Sequence, residues 1–468
     1  MTSRFLPPKA LRLRLRDWGL MSTTLRMLLT ATGGLVLFMG ACGGGNKRDN
    51  GIAENPGSLW AVDANTGNEI WHVRTPVVPG GKPALAGGRL FVSGSASCWG
   101  ANTTDGNFAA YEAATGQEQW RSPTRFTGGC AGTFQLALDE GANVEQGVAV
   151  VLAEGGVRGL DAASGAQLWT SPIAADHKPI DAGELALLLS GEEVHALDRR
   201  TGTEKWVARI GPRPANQIYA GEDADYVEVN SATAFFVVVT EPGGQYIGDF
   251  YGITALDLKT GTPIWHAQLG HDIHLYYRLL ADDSAVVVGY ETSLEPPNGS
   301  SPPSVVLALD PATGTEVWRK DLGGATPELP RSIEMGGGTV FVGRSLGRLN
   351  MQPDEFLEAL DARTGAKRWE ISNPCCTTVL AADKTTIVVA GDSGPGSGDW
   401  RVVPDNGFGR TFAALDASTG SPLWEKILLQ SPDLYDTNNS AVGATLAGGI
   451  VYISHRVLNV SHEAPGPD

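Results

Sequence analysis

The sequence predicts an all-β fold, an eight-bladed β-propeller of four-stranded antiparallel blades. Three observations predict it. One short pattern occurs eight times, β-branched apolar runs separate its copies, and the two ends of the series are incomplete in complementary ways. The pattern is an apolar pair, an acidic residue, two variable residues, Thr-Gly or Ser-Gly, three variable residues and a Trp. Its copies join Asp63 and Gly67 to Trp71, Glu112 and Gly116 to Trp120, Asp161 and Gly165 to Trp169, and Asp198 and Gly202 to Trp206. They continue with Asp257 and Gly261 to Trp265, Asp310 and Gly314 to Trp318, Asp361 and Gly365 to Trp369, and Asp416 and Gly420 to Trp424. Successive tryptophans lie 37 to 59 residues apart. A period of about 40–60 residues built from short strands belongs to a propeller.

Each copy reads as a hairpin. The acidic side chain can accept from backbone N–H groups two or three residues on and so close the turn. The Gly supplies a positive φ. The Trp stands on the following strand, where it covers the seam to the neighbouring blade. Pro263 and Pro422 lie on that strand, which suits only a sheet edge, so it is the outermost of its blade. Between copies lie Leu90–Val92, Val148–Leu152, Phe235–Val239, Val286–Val288, Val340–Val342 and Ile387–Val389. Such continuous apolar runs fit inner strands covered on both faces. The copy ending at Trp71 has no inner hairpin before it, and the hairpin Ala444–Ile453 has no copy after it. Joined, they make one blade, so the ring closes by pairing N-terminal outer strands with C-terminal inner ones.

The pattern Ala255-Leu256-Asp257-Leu258-Lys259-Thr260-Gly261-Thr262-Pro263-Ile264-Trp265 resembles the pyrroloquinoline-quinone (PQQ) type propeller repeat. The resemblance covers roughly residues 57–455. It implies the fold and leaves the activity open, because quinoprotein dehydrogenases and non-enzymatic propellers share the repeat.

Residues 1–41 read as an export signal. Basic residues precede the apolar stretch Met27–Met39, which is short for a membrane span. The segment ends Met39-Gly40-Ala41-Cys42 and resembles a bacterial lipobox, with Cys42 as the lipid attachment site and Met39 where Leu is usual. Residues 42–56 then form a flexible polar tether, 57–455 the propeller and 456–468 a C-terminal tail. Gly43 in place of Asp implies, by analogy with enteric bacteria, an outer-membrane anchor facing the periplasm or the cell surface. Removing residues 1–41 takes away 6 of 35 basic and 1 of 52 acidic residues, leaving 29 − 51 = −22. That charge argues against nucleic acid and anionic membrane surfaces as electrostatic partners.

Four further cysteines suggest disulfides in an exported chain. Cys98 falls in a loop between inner and outer strands and Cys130 in the link leaving the same blade. Both loops open on one face, which predicts a Cys98–Cys130 bond. Cys375 and Cys376 are adjacent. PQQ-dependent alcohol dehydrogenases carry an adjacent-cysteine disulfide over the cofactor, but here the pair sits near the seventh motif, which favours a structural ring or a free pair.

Constant turns inside the motif predict one smooth face. The connections at 95–107, 291–304, 344–355 and 391–410 are long and share the opposite face, whereas those near Gly155 and Gly191 are minimal. Loops carry function on a rigid scaffold, so this decorated face is the expected binding face. Trp99, Trp400 and Arg401 are its expected contacts. A polar-aromatic cluster containing His271, His274, Tyr276, Tyr277 and Arg278 falls in a link between blades, near the channel mouth. Two histidines and Asp272 there form an incomplete metal set.

The leading expectation is a monomeric, non-enzymatic, lipid-anchored scaffold that binds a protein partner at the outer membrane and needs no cofactor. It resembles the propeller lipoproteins of outer-membrane β-barrel assembly, the BamB family. The alternatives are a quinoprotein dehydrogenase using PQQ and Ca²⁺, and a surface propeller binding polysaccharide or an extracellular partner.

Overall fold

A computed structural model describes residues 57–75, 78–79, 82–95, 106–124, 142–145, 147–153, 155–175, 179–212, 227–241, 250–271, 273–274, 279–292, 304–322, 328–346, 354–372, 378–393, 408–431 and 441–455. They form eight antiparallel sheets arranged as an eight-bladed propeller. Seven blades run from the channel outward in chain order. Blade 4, for example, is Ile180–Ala182, Leu185–Ser190, Glu193–Asp198 and Glu204–Arg209. Blade 1 is composite, as expected. From outside in it contains Glu69–Thr75, Gly57–Asp63, Ile450–His455 and Ala441–Ala447. The closing register runs from Ser58 opposite His455 to Asp63 opposite Ile450.

The motif builds each outer hairpin. Asp63 Oδ1 accepts the N–H groups of Asn65 at 3.1 Å and Thr66 at 2.8 Å and the Thr66 hydroxyl at 2.8 Å. Asp161, Asp198, Asp310, Asp361 and Asp416 repeat this arrangement. Glu112, one methylene longer, takes the Thr115 hydroxyl at 2.6 Å. In every copy the motif Gly N–H donates to the carbonyl of the acidic residue at 2.7–2.8 Å.

The tryptophans join the blades. Each indole N–H donates to the carbonyl of the residue following the acid in the next copy. Trp71 reaches Ala113, Trp120 Ala162, Trp169 Arg199 and Trp206 Leu258. Trp265 reaches Pro311, Trp318 Ala362, Trp369 Ala417 and Trp424 Ala64, the last closing the ring at 2.8 Å. Each ring also lies on the motif Gly of the same neighbour. A Cβ at Gly116 would stand 2.6 Å from Trp71, and one at Gly67 2.6 Å from Trp424. The Gly is therefore required twice, for its positive φ (64° at Gly67, 71° at Gly116) and as the flat floor of the preceding blade's indole.

A third feature completes the seam. The residue paired across the hairpin with each Trp is Ala in seven blades (Ala61, Ala110, Ala196, Ala255, Ala308, Ala359 and Ala414) and Gly159 in blade 3. A larger side chain there would meet the indole. At Gly159 even a Cβ would stand 2.1 Å from the Trp169 ring. The core is accordingly divided among the seams. One cluster packs Phe235, Val237 and Ile253 of blade 5 against Val286, Val288 and Leu307 of blade 6, with Trp265 over it.

Candidate binding face and channel

The motif turns and the turns between the two innermost strands lie on one face. Connections between the second and third strands, and links between blades, lie on the other. The second connection class is two residues long in blades 3 and 4, at 154–155 and 191–192. The expected insertions 95–107, 291–304, 344–355 and 391–410 begin and end in strand residues, and their middle segments 96–105, 293–303, 347–353 and 394–407 lie outside the described residues. A fifth connection of this class, 242–249 in blade 5, escaped the sequence reading. Its signal was Pro242-Gly243-Gly244 beyond the long strand Thr233–Glu241.

Trp99, Trp400, Arg401, Tyr276, Tyr277 and Arg278 lie outside the described residues, as do Cys42, Cys98, Cys130, Cys375 and Cys376. The polar-aromatic stretch is not simply a link between blades. His271 ends the outermost strand of blade 5, Pro263–His271, opposite Phe250. His274 already belongs to the inner edge of blade 6, in Ile273–His274, opposite Glu291. Strand pairing therefore continues into a segment that its polar composition marked as loop.

The channel is lined by the innermost strands, and two of them are interrupted alike. In blade 2, Val78–Pro79 pairs with Ser95 and Gly94, and Ala84–Ala86 with Phe91 to Arg89. In blade 6, Ile273–His274 pairs with Thr292 and Glu291, and Leu279–Ala281 with Val288 to Val286. The two blades are four steps apart in a ring of eight, hence opposite each other.

Lys82 lies in blade 2 between Val78–Pro79 and Ala84–Ala86. Its backbone rests on Gly443 of blade 1, where a Cβ would come within 2.6 Å of the Lys82 Cα. The Thr445 hydroxyl of blade 1 donates to the Pro83 carbonyl. The Lys82 ammonium lies 3.9 Å from Oε1 of Glu334, a residue only 6% exposed on the innermost strand of blade 7, Glu328–Gly336. On the same side of the channel the Val379 N–H of blade 8 donates to the Ser332 hydroxyl of blade 7 at 2.7 Å.

A second charged group crosses the seam between blades 6 and 7. Glu358 is fully buried. Its Oε2 accepts from Lys320 Nζ at 2.7 Å, and Arg344 Nε lies 4.0 Å from Oε1. Arg344 also bonds Glu370 at 3.1 Å, and its guanidinium lies 4.7 Å from the Phe356 ring centre. On the smooth face, the Arg368 guanidinium, together with Thr364 and the N–H groups of the turn, holds the Asp361 carboxyl down at about 2.

PQQ and its Ca²⁺, which this fold family implies, would need carboxylate ligands and an aromatic floor in the channel. The eight motif tryptophans are committed to seams, and Trp60 stacks on His72 at 4.5 Å within blade 1. Among the described residues no three His, Cys, Asp or Glu come together as metal ligands. The described residues therefore do not provide that site.

The family model described as outer membrane protein assembly factor BamB matches residues 55–288 and 303–461. The chain belongs to this family. A polyvinylalcohol dehydrogenase from Sphingopyxis sp. (strain 113P3) is 23% identical, the match covering 91% of this chain and 74% of that one. The outer membrane protein assembly factor BamB of Burkholderia pseudomallei (strain K96243) is 24% identical, covering 57% of this chain and 71% of that one. Among solved structures, a quinohemoprotein alcohol dehydrogenase from Comamonas testosteroni matches 88% of this chain at 15% identity with a TM-score of 0.45. A europium-containing methanol dehydrogenase matches 75% at 14% identity, also with a TM-score of 0.45.

Proposed function

We propose that this BamB-family propeller is a non-enzymatic scaffold in outer-membrane protein assembly, anchored through Cys42 and binding a protein partner with its decorated face. The observation that carries this reading is the fate of the tryptophans. All eight of the repeat are consumed in joining blades, indole N–H included, so the repeat itself builds a rigid ring. Specificity is then left to the connections on one face. Trp99, Trp400 and Arg401 are the proposed contacts there, and the Cys98–Cys130 bond is proposed to brace one of the loops. In this reading the protein is exported and faces the periplasm from the outer membrane.

A second reading, a PQQ-dependent dehydrogenase, is favoured by the polyvinylalcohol dehydrogenase relative, whose match extends over more of this chain than the BamB match does. In that reading Cys375 and Cys376 would lie against the cofactor. Two measurements, one on the purified protein and one in cells, decide between the readings. The first is titration with PQQ and Ca²⁺, followed by quinone absorbance and dye-linked alcohol oxidation. The second is crosslinking in cells from cysteines placed at Trp99 and Trp400. A scaffold gives no PQQ binding up to high micromolar concentration and a discrete crosslinked partner. Saturable PQQ binding with turnover overturns it.

A further inference from the structure

The ring position of Lys82 and Glu334 says what the channel can do. Blade 2 and blade 7 are three steps apart in the ring of eight, with blades 1 and 8 between them. A line joining their innermost strands therefore passes close to the propeller axis. The pair is not a contact along one wall but a connection from wall to wall.

Three features make that crossing possible. Lys82 lies outside the strand pairs that flank it, Val78–Pro79 with Ser95–Gly94 and Ala84–Ala86 with Phe91–Arg89, on the innermost edge of its blade. The intervening blade 1 presents Gly443, whose missing side chain leaves room for the Lys82 backbone. Thr445, two residues on, fixes the neighbouring Pro83 carbonyl. Glu334 receives the cation where little water reaches it, at 6% exposure, and there a charge is costly unless paired.

We propose that Lys82 and Glu334 form a strap across the central channel that closes it partway along, so that a ligand or partner segment entering from either face meets a floor and nothing threads the ring. The strap is independent of whether the decorated face binds a protein or a cofactor. It also makes the two charges the floor of whatever cup that face encloses.

Hydrogen exchange of the purified protein tests the strap, comparing wild type with K82M, E334Q and the charge swap K82E/E334K. Opening the channel to water should speed exchange about tenfold in the innermost strands 328–336 and 441–447 of both single variants, while strand 185–190 of blade 4 stays unchanged. The swap, which restores opposite charges at the same two places, should return both strands to near wild-type protection. Unchanged exchange in 328–336 and 441–447 of K82M would overturn the proposal. So would equal acceleration in every blade, or a swap as fast as the singles. Lys82 is partly exposed, so K82M carries the test alone should E334Q fail to fold.

Discussion

At the scale of single residues, the motif glycines hold more of the fold than their turn geometry suggests. Gly116 and Gly87 share a positive φ, 71° and 55°, but only Gly116 has an indole against it. A Cβ at Gly87 would meet nothing within 4 Å. G87A should therefore cost about 1 kcal/mol, the backbone penalty alone. G116A adds displacement of Trp71 from its seat, and overpacking of this kind costs about 1–3 kcal/mol more. Urea unfolding of the two variants measures the difference, and equal losses would refute the seat. The acidic residue of the motif makes a separate prediction. Asp361 is held at about 2 by Arg368, Thr364 and the turn N–H groups, below its unfolded value of about 3.9. A lowered folded pKa gives stability that is present above about pH 4 and lost as pH falls through about 2. Asp63, Asp161, Asp257 and Asp416 are lowered in the same direction, chiefly by the Ser or Thr hydroxyls of their turns. Melting temperature should thus fall steeply from pH 4 toward pH 2, and D361N should lose stability at neutral pH while losing less further on acidification.

At the scale of strands and blades, what was legible in the sequence is what the chain does locally. Asp63 to Trp71 is a single hairpin, and its turn bonds, edge proline positions and pairing all follow from neighbours within about ten residues. The eight blades and the composite closure could be counted for that reason. The small residue opposite each Trp was also in plain view, as the Ala of Ala255-Leu256-Asp257, yet its role appears only once the register pairs Ala255 with Trp265. The Lys82–Glu334 and Lys320–Glu358 pairs were not legible, because each joins residues of different blades and neither has a periodic signature. Two residues of the polar stretch read as loop for a related reason. His271 and His274 are polar, but pairing with Phe250 and Glu291 satisfies their backbones as strand. The blade 6–7 seam gives a test at this scale. Elsewhere the position two residues after the Trp is mostly small or apolar, as at Val73, Ala208 and Ile371. Lys320 instead meets a fully buried carboxylate. E358A should destabilise by about 3 kcal/mol by leaving Lys320 without its carboxylate in the seam, whereas K320M/E358L, which removes both charges, should cost less than E358A alone. Chemical denaturation of the single and double variants measures this, and additive losses would argue against coupling.

At the scale of the whole molecule, a propeller has no natural first blade. Its seams are repeated along the ring, and the seam that closes it, Trp424 on Ala64 and Gly67, is built like the other seven. Lys426 reinforces it by donating to the Gly67 carbonyl at 2.6 Å. The chain ends of the ring are also positioned like an ordinary connection. Ser58 pairs with His455 just as Gly156 pairs with Ala153 in blade 3, where two residues suffice to turn the chain. A short linker from His455 to Gly57, with new ends opened in segment 394–407 of blade 8, should therefore give a circular permutant that folds to the same ring. Its melting temperature should stay within about 5 °C of the parent, since no hydrogen bond or seam of the described strands is lost. Deleting residues 441–455 is the opposite experiment. It removes the two inner strands of blade 1 and exposes the apolar faces of Leu59, Ala61 and Val62, which are now almost fully buried. It also takes Gly443 away from the Lys82 backbone and the Thr445 hydroxyl from the Pro83 carbonyl. A ring held mainly by equivalent seams predicts a stable permutant and an unfolded deletion. A permutant that fails, with the deletion still folded, would mean that the N-terminal outer strands hold without their C-terminal partners.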